Sequence, residues 1–170
     1  DVYKRQAYRI LGETYQVEND FEKAMYAYAK AVEIQPEYAE VHAFLGQLYS
    51  QKKWLGEAAN QYQKAIDLGL KWPEVYYNLG NIFYKVGYLE SAIQSYETAI
   101  ILKPDYIKAY FGLGIIFERE RNYQGAVDIY RKVIKSNPDF VEAYNSLASV
   151  FADWNRTSEA IEVYQLSLIH

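Results

Sequence analysis

Large apolar side chains return along this chain at two spacings. Locally they fall three and four residues apart, the rhythm of one helix face. Over the whole chain the same pattern comes back every thirty-four residues. Leu11, Leu45, Leu79, Leu113 and Leu147 mark that long period, as do Ala24, Ala58, Ala92, Ala126 and Ala160, and Tyr28, Tyr62, Tyr96, Tyr130 and Tyr164. A small residue follows each leucine (Gly12, Gly46, Gly80, Gly114, Ala148), and an aromatic stands four positions after it (Tyr15, Tyr49, Phe83, Phe117, Phe151). The register never slips, so five units are expected at 5–38, 39–72, 73–106, 107–140 and 141–170, the first and last truncated.

Each unit predicts two helices. In the first, large residues at unit positions 4, 7 and 11 surround a small one at 8; in the third unit these are Tyr76, Leu79, Phe83 and Gly80. The second helix repeats the logic around Ala92, Tyr96 and Ala99. Gly80 and Ala92 carry little or no side chain, so the two helices can approach closely there. Asn19, Gly87 and Asn155 fall in the turn between helices, and these residue types tolerate the left-handed conformation that ends a helix. Pro36, Pro104 and Pro138 lie beyond the second helix, where proline halts continuation. The second unit has Leu70 in that place, with Gly69 before it and Pro73 opening the next helix, so a slightly altered joint is expected.

This large–Leu–small–aromatic…Ala…aromatic…Ala…Pro pattern resembles the tetratricopeptide repeat (TPR) family over all of 7–165. The departures are local: His42 replaces an opening aromatic, Thr157 stands where Phe21, Leu55, Leu89 and Tyr123 precede their alanines, and Ser167 falls where alanine or valine is usual. The resemblance implies an all-α fold, a right-handed superhelical solenoid of antiparallel helix pairs whose inner wall is mainly the first helix of each unit. A single repeat cannot bury its apolar face, so neighbours share an elongated core.

The two ends are set apart. "DVYKRQ" at 1–6 can be encoded as GAT GTG TAT AAG AGA CAG, whose reverse complement translates as the closing "LSLIH" of 166–170 followed by Ile. The pair resembles a transposon end used to tag sequencing libraries, translated at both edges of a DNA fragment. The intervening segment cuts into a helix at each side, so a slice of a longer protein is expected. Its last helix would leave the apolar side of Ala160, Ile161 and Tyr164 partly exposed, and such uncapped ends favour self-association.

Composition removes several functions. Cysteine is absent, which excludes disulfides, thiolate metal sites and a Cys nucleophile, and leaves the compartment open. The net charge is −4, with Lys and Arg scattered, so no basic stripe stands ready for nucleic acid. No apolar run is long enough to cross a membrane, and no membrane insertion is expected. "GLGIIF" at 112–117 nearly matches a dinucleotide-binding glycine run, but it falls mid-helix and ends in Phe117. "NRT" at Asn155 fits a glycosylation acceptor and, more simply, a helix-ending turn. His42 stands alone and reads as packing. No cofactor and no catalytic residues are expected, and the chain reads as no enzyme.

Tyrosine is the remaining signal. Fourteen of the tyrosines fill repeat positions that are bulky throughout: Tyr8, Tyr15, Tyr28, Tyr38, Tyr49, Tyr62, Tyr76, Tyr96, Tyr106, Tyr110, Tyr123, Tyr130, Tyr144 and Tyr164. With Tyr3 set aside, Tyr26, Tyr77, Tyr84 and Tyr88 are left over. Tyr77 and Tyr84 belong to a stripe at unit positions 2, 5, 9 and 12, roughly 130° around the helix from the packing face. In the family that stripe faces the groove. It is polar or small in the outer units and aromatic or apolar in the third and fourth, with Tyr77, Tyr84, Phe111 and Ile115.

The reading is a non-catalytic scaffold that binds an extended peptide or a partner helix in its concave groove. Tyr77, Tyr84, Phe111 and Ile115 form the expected hot spot. Asn81 bonds ligand backbone, and Lys85, Lys108 and Arg119 supply rim charge. Asn78 matches the backbone-binding asparagine of the TPR arms of O-linked N-acetylglucosamine transferases, so the alternative is an arm of such an enzyme. Ile10, Phe44, Gly112 and Ser146 do not match that ladder. A carboxylate clamp is disfavoured by Glu13, Glu40 and Glu74 at the positions it needs. Arrays that build larger assemblies by edge-to-edge stacking are a third class.

Overall fold

The computed structural model describes residues 2–168, and those residues form ten helices and no strand. In chain order these are α1 (Val2–Val17), α2 (Phe21–Ile34), α3 (Ala39–Gln51), α4 (Leu55–Asp67), α5 (Pro73–Val86), α6 (Leu89–Leu102), α7 (Ile107–Arg119), α8 (Tyr123–Ser136), α9 (Val141–Asp153) and α10 (Thr157–Ser167). The helices follow one another as five consecutive pairs, as the two stretches of helical rhythm in each repeat predict.

All five turns inside a pair close in the same way. A residue within two positions of the first helix's end turns left-handed, at φ 59° in Asn19, 62° in Lys53, 90° in Gly87, 58° in Arg121 and 60° in Asn155. Its N–H bonds a carbonyl three residues back and the next N–H reaches five back, as in Arg121 to Glu118 and Asn122 to Phe117. This pair of hydrogen bonds satisfies orphan carbonyls of the helix end. Asp20 and Asn122 then cap the second helix, each accepting from a backbone N–H three residues on. Second helices end differently. Gln35, Lys103 and Asn137 are extended, as the following proline requires. At the proline-free joint, Gly69 takes φ 88° and α5 opens on Pro73, which is the alteration anticipated there.

The chain divides into two compact units, and the division falls within α5, between Ile82 and Phe83. In the first unit, α1 packs on α2, α2 on α3, and α3 on α4. Its core joins Ala24, Tyr28, Ala31, Val41, Leu45 and Leu48, with Tyr8, Tyr15, Phe21 and Phe44 packed against it. In the second unit, α6 through α10 pack in sequence, and the core runs from Ala126, Val127 and Tyr130 to Tyr144, Leu147, Phe151 and Val163.

Small residues at position 8 are small because a ring lies on them. A Cβ on Gly46 would stand 2.7 Å from Cδ1 of Tyr62, and Gly12 and Gly114 are covered in the same way by Tyr28 and Tyr130. Gly112 is covered by Tyr96, so both glycines of "GLGIIF" are seats for tyrosines in the middle of α7.

In the last helix one expectation holds and one needs correcting. Tyr164, bulky by its period but expected to stay partly exposed in the last helix, is 47% exposed. Its position-8 counterpart is Ala148, and no further helix covers Tyr164 among the described residues. Ala160, expected to be partly exposed, is buried because it belongs to the packing of α10 on α9; Ile161 and Tyr164 carry the exposure instead.

Candidate functional site

The stripe residues are neither core nor free surface. In the first unit Tyr77, Asn78 and Asn81 are half-buried on α5, flanked by the buried Leu79 and Gly80. Tyr77 and Asn81 each hold an interaction within the protein. In the second unit Tyr84, Phe111 and Ile115 are half-buried, while Lys85, Lys108 and Arg119 are exposed. The Arg119 guanidinium lies over the Tyr84 ring, 5.6 Å from its centroid. Phe111 meets Phe140 edge-on at 4.9 Å and Tyr130 at 5.6 Å, so it is a fixed wall rather than a free anchor. Beneath them the Tyr130 hydroxyl donates to a Glu118 carboxylate oxygen at 2.8 Å. Burial first, then the charge and bond of Glu118, push the Tyr130 pKa well above its usual value.

The first unit holds a cavity of about 240 Å³ that the stripe analysis did not single out. Phe44, Gln47 and Ala43 of α3, Trp72, Tyr62 of α4, and Glu74, Val75 and Asn78 of α5 line it. Phe44 stacks on Tyr28 at 5.4 Å and meets Trp72 at 5.7 Å. Tyr62 is buried, and its hydroxyl has no hydrogen-bond partner. Burial raises its pKa above the usual tyrosine value, and the neighbouring Asn78 amide opposes that rise without making a hydrogen bond of normal geometry. A sequence signal for this existed. Tyr28 donates to Gln16 and Tyr130 to Glu118, each twelve residues earlier. The same place before Tyr62 holds Ser50, whose side chain is too short to do so.

His42 is buried, with Nδ1 2.7 Å from Gln61 Oε1 and Nε2 2.8 Å from the Pro36 carbonyl, which accounts for both ring nitrogens as packing. Among the described residues no three His, Cys, Asp or Glu side chains gather to hold a metal, and no helix is long and apolar enough to cross a membrane.

Family profiles match nearly the whole chain. The one described as TPR repeat matches residues 12–53, 46–87 and 81–120, and the one described as tetratricopeptide repeat matches 111–169. The chain belongs to the tetratricopeptide repeat family. TPR modules mediate protein–protein interaction, and their pairs stack as helical solenoids. No curated protein matches the sequence. Among solved structures, a crystal structure of MamA protein shares 26% identity over 99% of this chain and 92% of its own, with a TM-score of 0.91. YrrB, described as a TPR protein with an unusual peptide-binding site, shares 22% over 95% of this chain and 83% of its own, TM-score 0.84. PilF of Pseudomonas aeruginosa shares 24% over 98% and 76%, TM-score 0.82. At these identities the likeness to YrrB and PilF is one of TPR fold.

Proposed function

We propose that this TPR chain is a non-catalytic interaction scaffold that holds an extended peptide or a partner helix along the first-helix stripe. Each unit by itself presents its own residues: the first presents Tyr77, Asn78 and Asn81, and the second presents Tyr84, Lys85, Lys108, Phe111, Ile115 and Arg119. The observation that carries the reading is Tyr84 under Arg119: a half-exposed aromatic ring held in place by a guanidinium on the next first helix. Tyrosine and arginine in a pre-ordered, partly desolvated setting dominate binding energy at interfaces. The YrrB description, a TPR protein with a peptide-binding site, supports the same class of ligand.

Peptide display against the chain supplies a ligand, and calorimetry then reads the variants. Tyr84→Ala should weaken binding by about 2 kcal/mol, roughly 30-fold, with helical content unchanged. Asn145→Ala, an exposed stripe residue in the last unit, should leave affinity within about twofold. Tyr84→Ala with wild-type affinity would place the partner on another face.

A further inference from the structure

We infer that the cavity between Phe44, Trp72 and Tyr62 in the first unit is a side-chain pocket for an arginine of the partner protein. The inference rests on the reading that first-helix stripes meet a partner, and it adds a residue type to it. Three features of the pocket converge on a guanidinium.

Its walls are aromatic. Phe44 and Trp72 meet at 58°, and Trp72 keeps 37% of its surface exposed. Aromatic faces attract a cation, and a planar guanidinium both stacks on them and keeps its edge free for bonding.

Its rim is acidic and uncompensated. Glu74 lines the pocket and has no ion-pair partner among the described residues, whereas Glu13 in the first repeat is neutralised by Arg9. A cation entering here meets negative charge that the protein has left unpaired, and an anion would be repelled.

Its floor lacks one hydrogen bond. The buried Tyr62 hydroxyl has no partner, an arrangement that costs stability unless something completes it. Tyr28 and Tyr130, its counterparts, are both satisfied from within the repeat. Tyr62 lines the cavity, so an entering guanidinium N–H has this unpaired oxygen as an acceptor. The Asn78 and Gln47 amide oxygens accept further N–H groups. Arginine carries five donors in a fixed fork, enough for these acceptors and for Glu74 together. Lysine offers charge without the plane, and citrulline the plane without charge.

The test is an NMR titration of the isotope-labelled chain with acetyl-Gly-Arg-Gly-amide and its lysine and citrulline counterparts. The arginine probe should move the Trp72 indole N–H and the Asn78 side-chain amide saturably. Citrulline should bind about tenfold more weakly, the worth of a charge-assisted bond. Tyr62→Phe removes the unpaired hydroxyl, so it should melt at the same or a higher temperature and yet weaken the arginine probe about three- to tenfold. Glu74→Gln, on an exposed side chain that folding does not need, should weaken it similarly. Equal binding of arginine and citrulline, an unmoved Trp72, or unchanged arginine affinity in both variants would each overturn the pocket. Tyr84→Ala separates the two readings. Loss of the displayed peptide with arginine shifts intact supports the stripe and leaves the pocket standing. Arginine shifts absent while Tyr84→Ala still matters would remove the pocket alone.

Discussion

At Gly46 the backbone itself is the contact surface, and Tyr62 lies flat enough on it that a methyl group has no room. Gly46→Ala forces the ring or the helix to move and should cost about 1–3 kcal/mol, read from urea denaturation. Gly56→Ala is the contrast. It sits exposed in the first turn of α4 with nothing within 4 Å of a new Cβ, and should gain about 0.5 kcal/mol from helix propensity. The same seated rings make the fold sensitive to alkali. Burial raises the pKa of Tyr28, Tyr62 and Tyr130 above the ordinary tyrosine value. In the unfolded chain these phenols ionise near pH 10. The folded state therefore holds their protons more tightly, and its stability is fully present below about pH 10 and declines as pH rises beyond it. Thermal melts between about pH 8 and pH 11 should show a constant midpoint and then a fall. A midpoint unchanged at the top of that range would mean the hydroxyls reach solvent.

The helix ends show where sequence and structure part. Asn19, Gly87 and Asn155 are legible as left-handed turn residues, because their chemistry favours that conformation. Lys53 and Arg121 adopt it as well, at 62° and 58°, with no chemical preference for it. Their turns are imposed by packing of the helix pair on either side, which overrides a local cost of about 1–2 kcal/mol. Lys53→Gly relieves that cost but gives the unfolded chain more conformational entropy to lose on folding, so a net gain of up to about 1 kcal/mol is expected in denaturant titration. Gly87→Ala should lose about 1–2 kcal/mol by the converse argument. A neutral result at both positions would show that the turns relax to another geometry. Helix positions, pair boundaries and the altered joint at Gly69 were all readable, since each depends on contacts close in sequence. The period alone assigns Tyr164 to the core, and its exposure is legible only from its place in the last helix, which no further helix covers among the described residues.

For the molecule as a whole, the stripe could be placed on one helix face from its spacing alone, but the engagement of its members could not. Phe111 faces Phe140 from twenty-nine residues away, and the ring of Tyr84 is covered by an arginine thirty-five residues on. Such distances are set by how pairs stack, not by any local preference. The missing partner of Tyr62 was hidden for a different reason: it is the absence of a long acceptor at Ser50, and a pattern search counts what recurs. One further consequence follows from the rings seated on glycines. Gly12 and Tyr28, or Gly46 and Tyr62, lie sixteen residues apart, so each pair closes on contacts wholly within one repeat. On a ribosome adding about 5–20 residues per second, a thirty-four-residue repeat takes about 2–7 s to emerge. Local helix contacts form in microseconds to milliseconds. Each helix pair therefore has time to begin closing before its successor leaves the exit tunnel, while lasting burial waits for the neighbour that shares its core, so the chain is assembled in the order in which it is read.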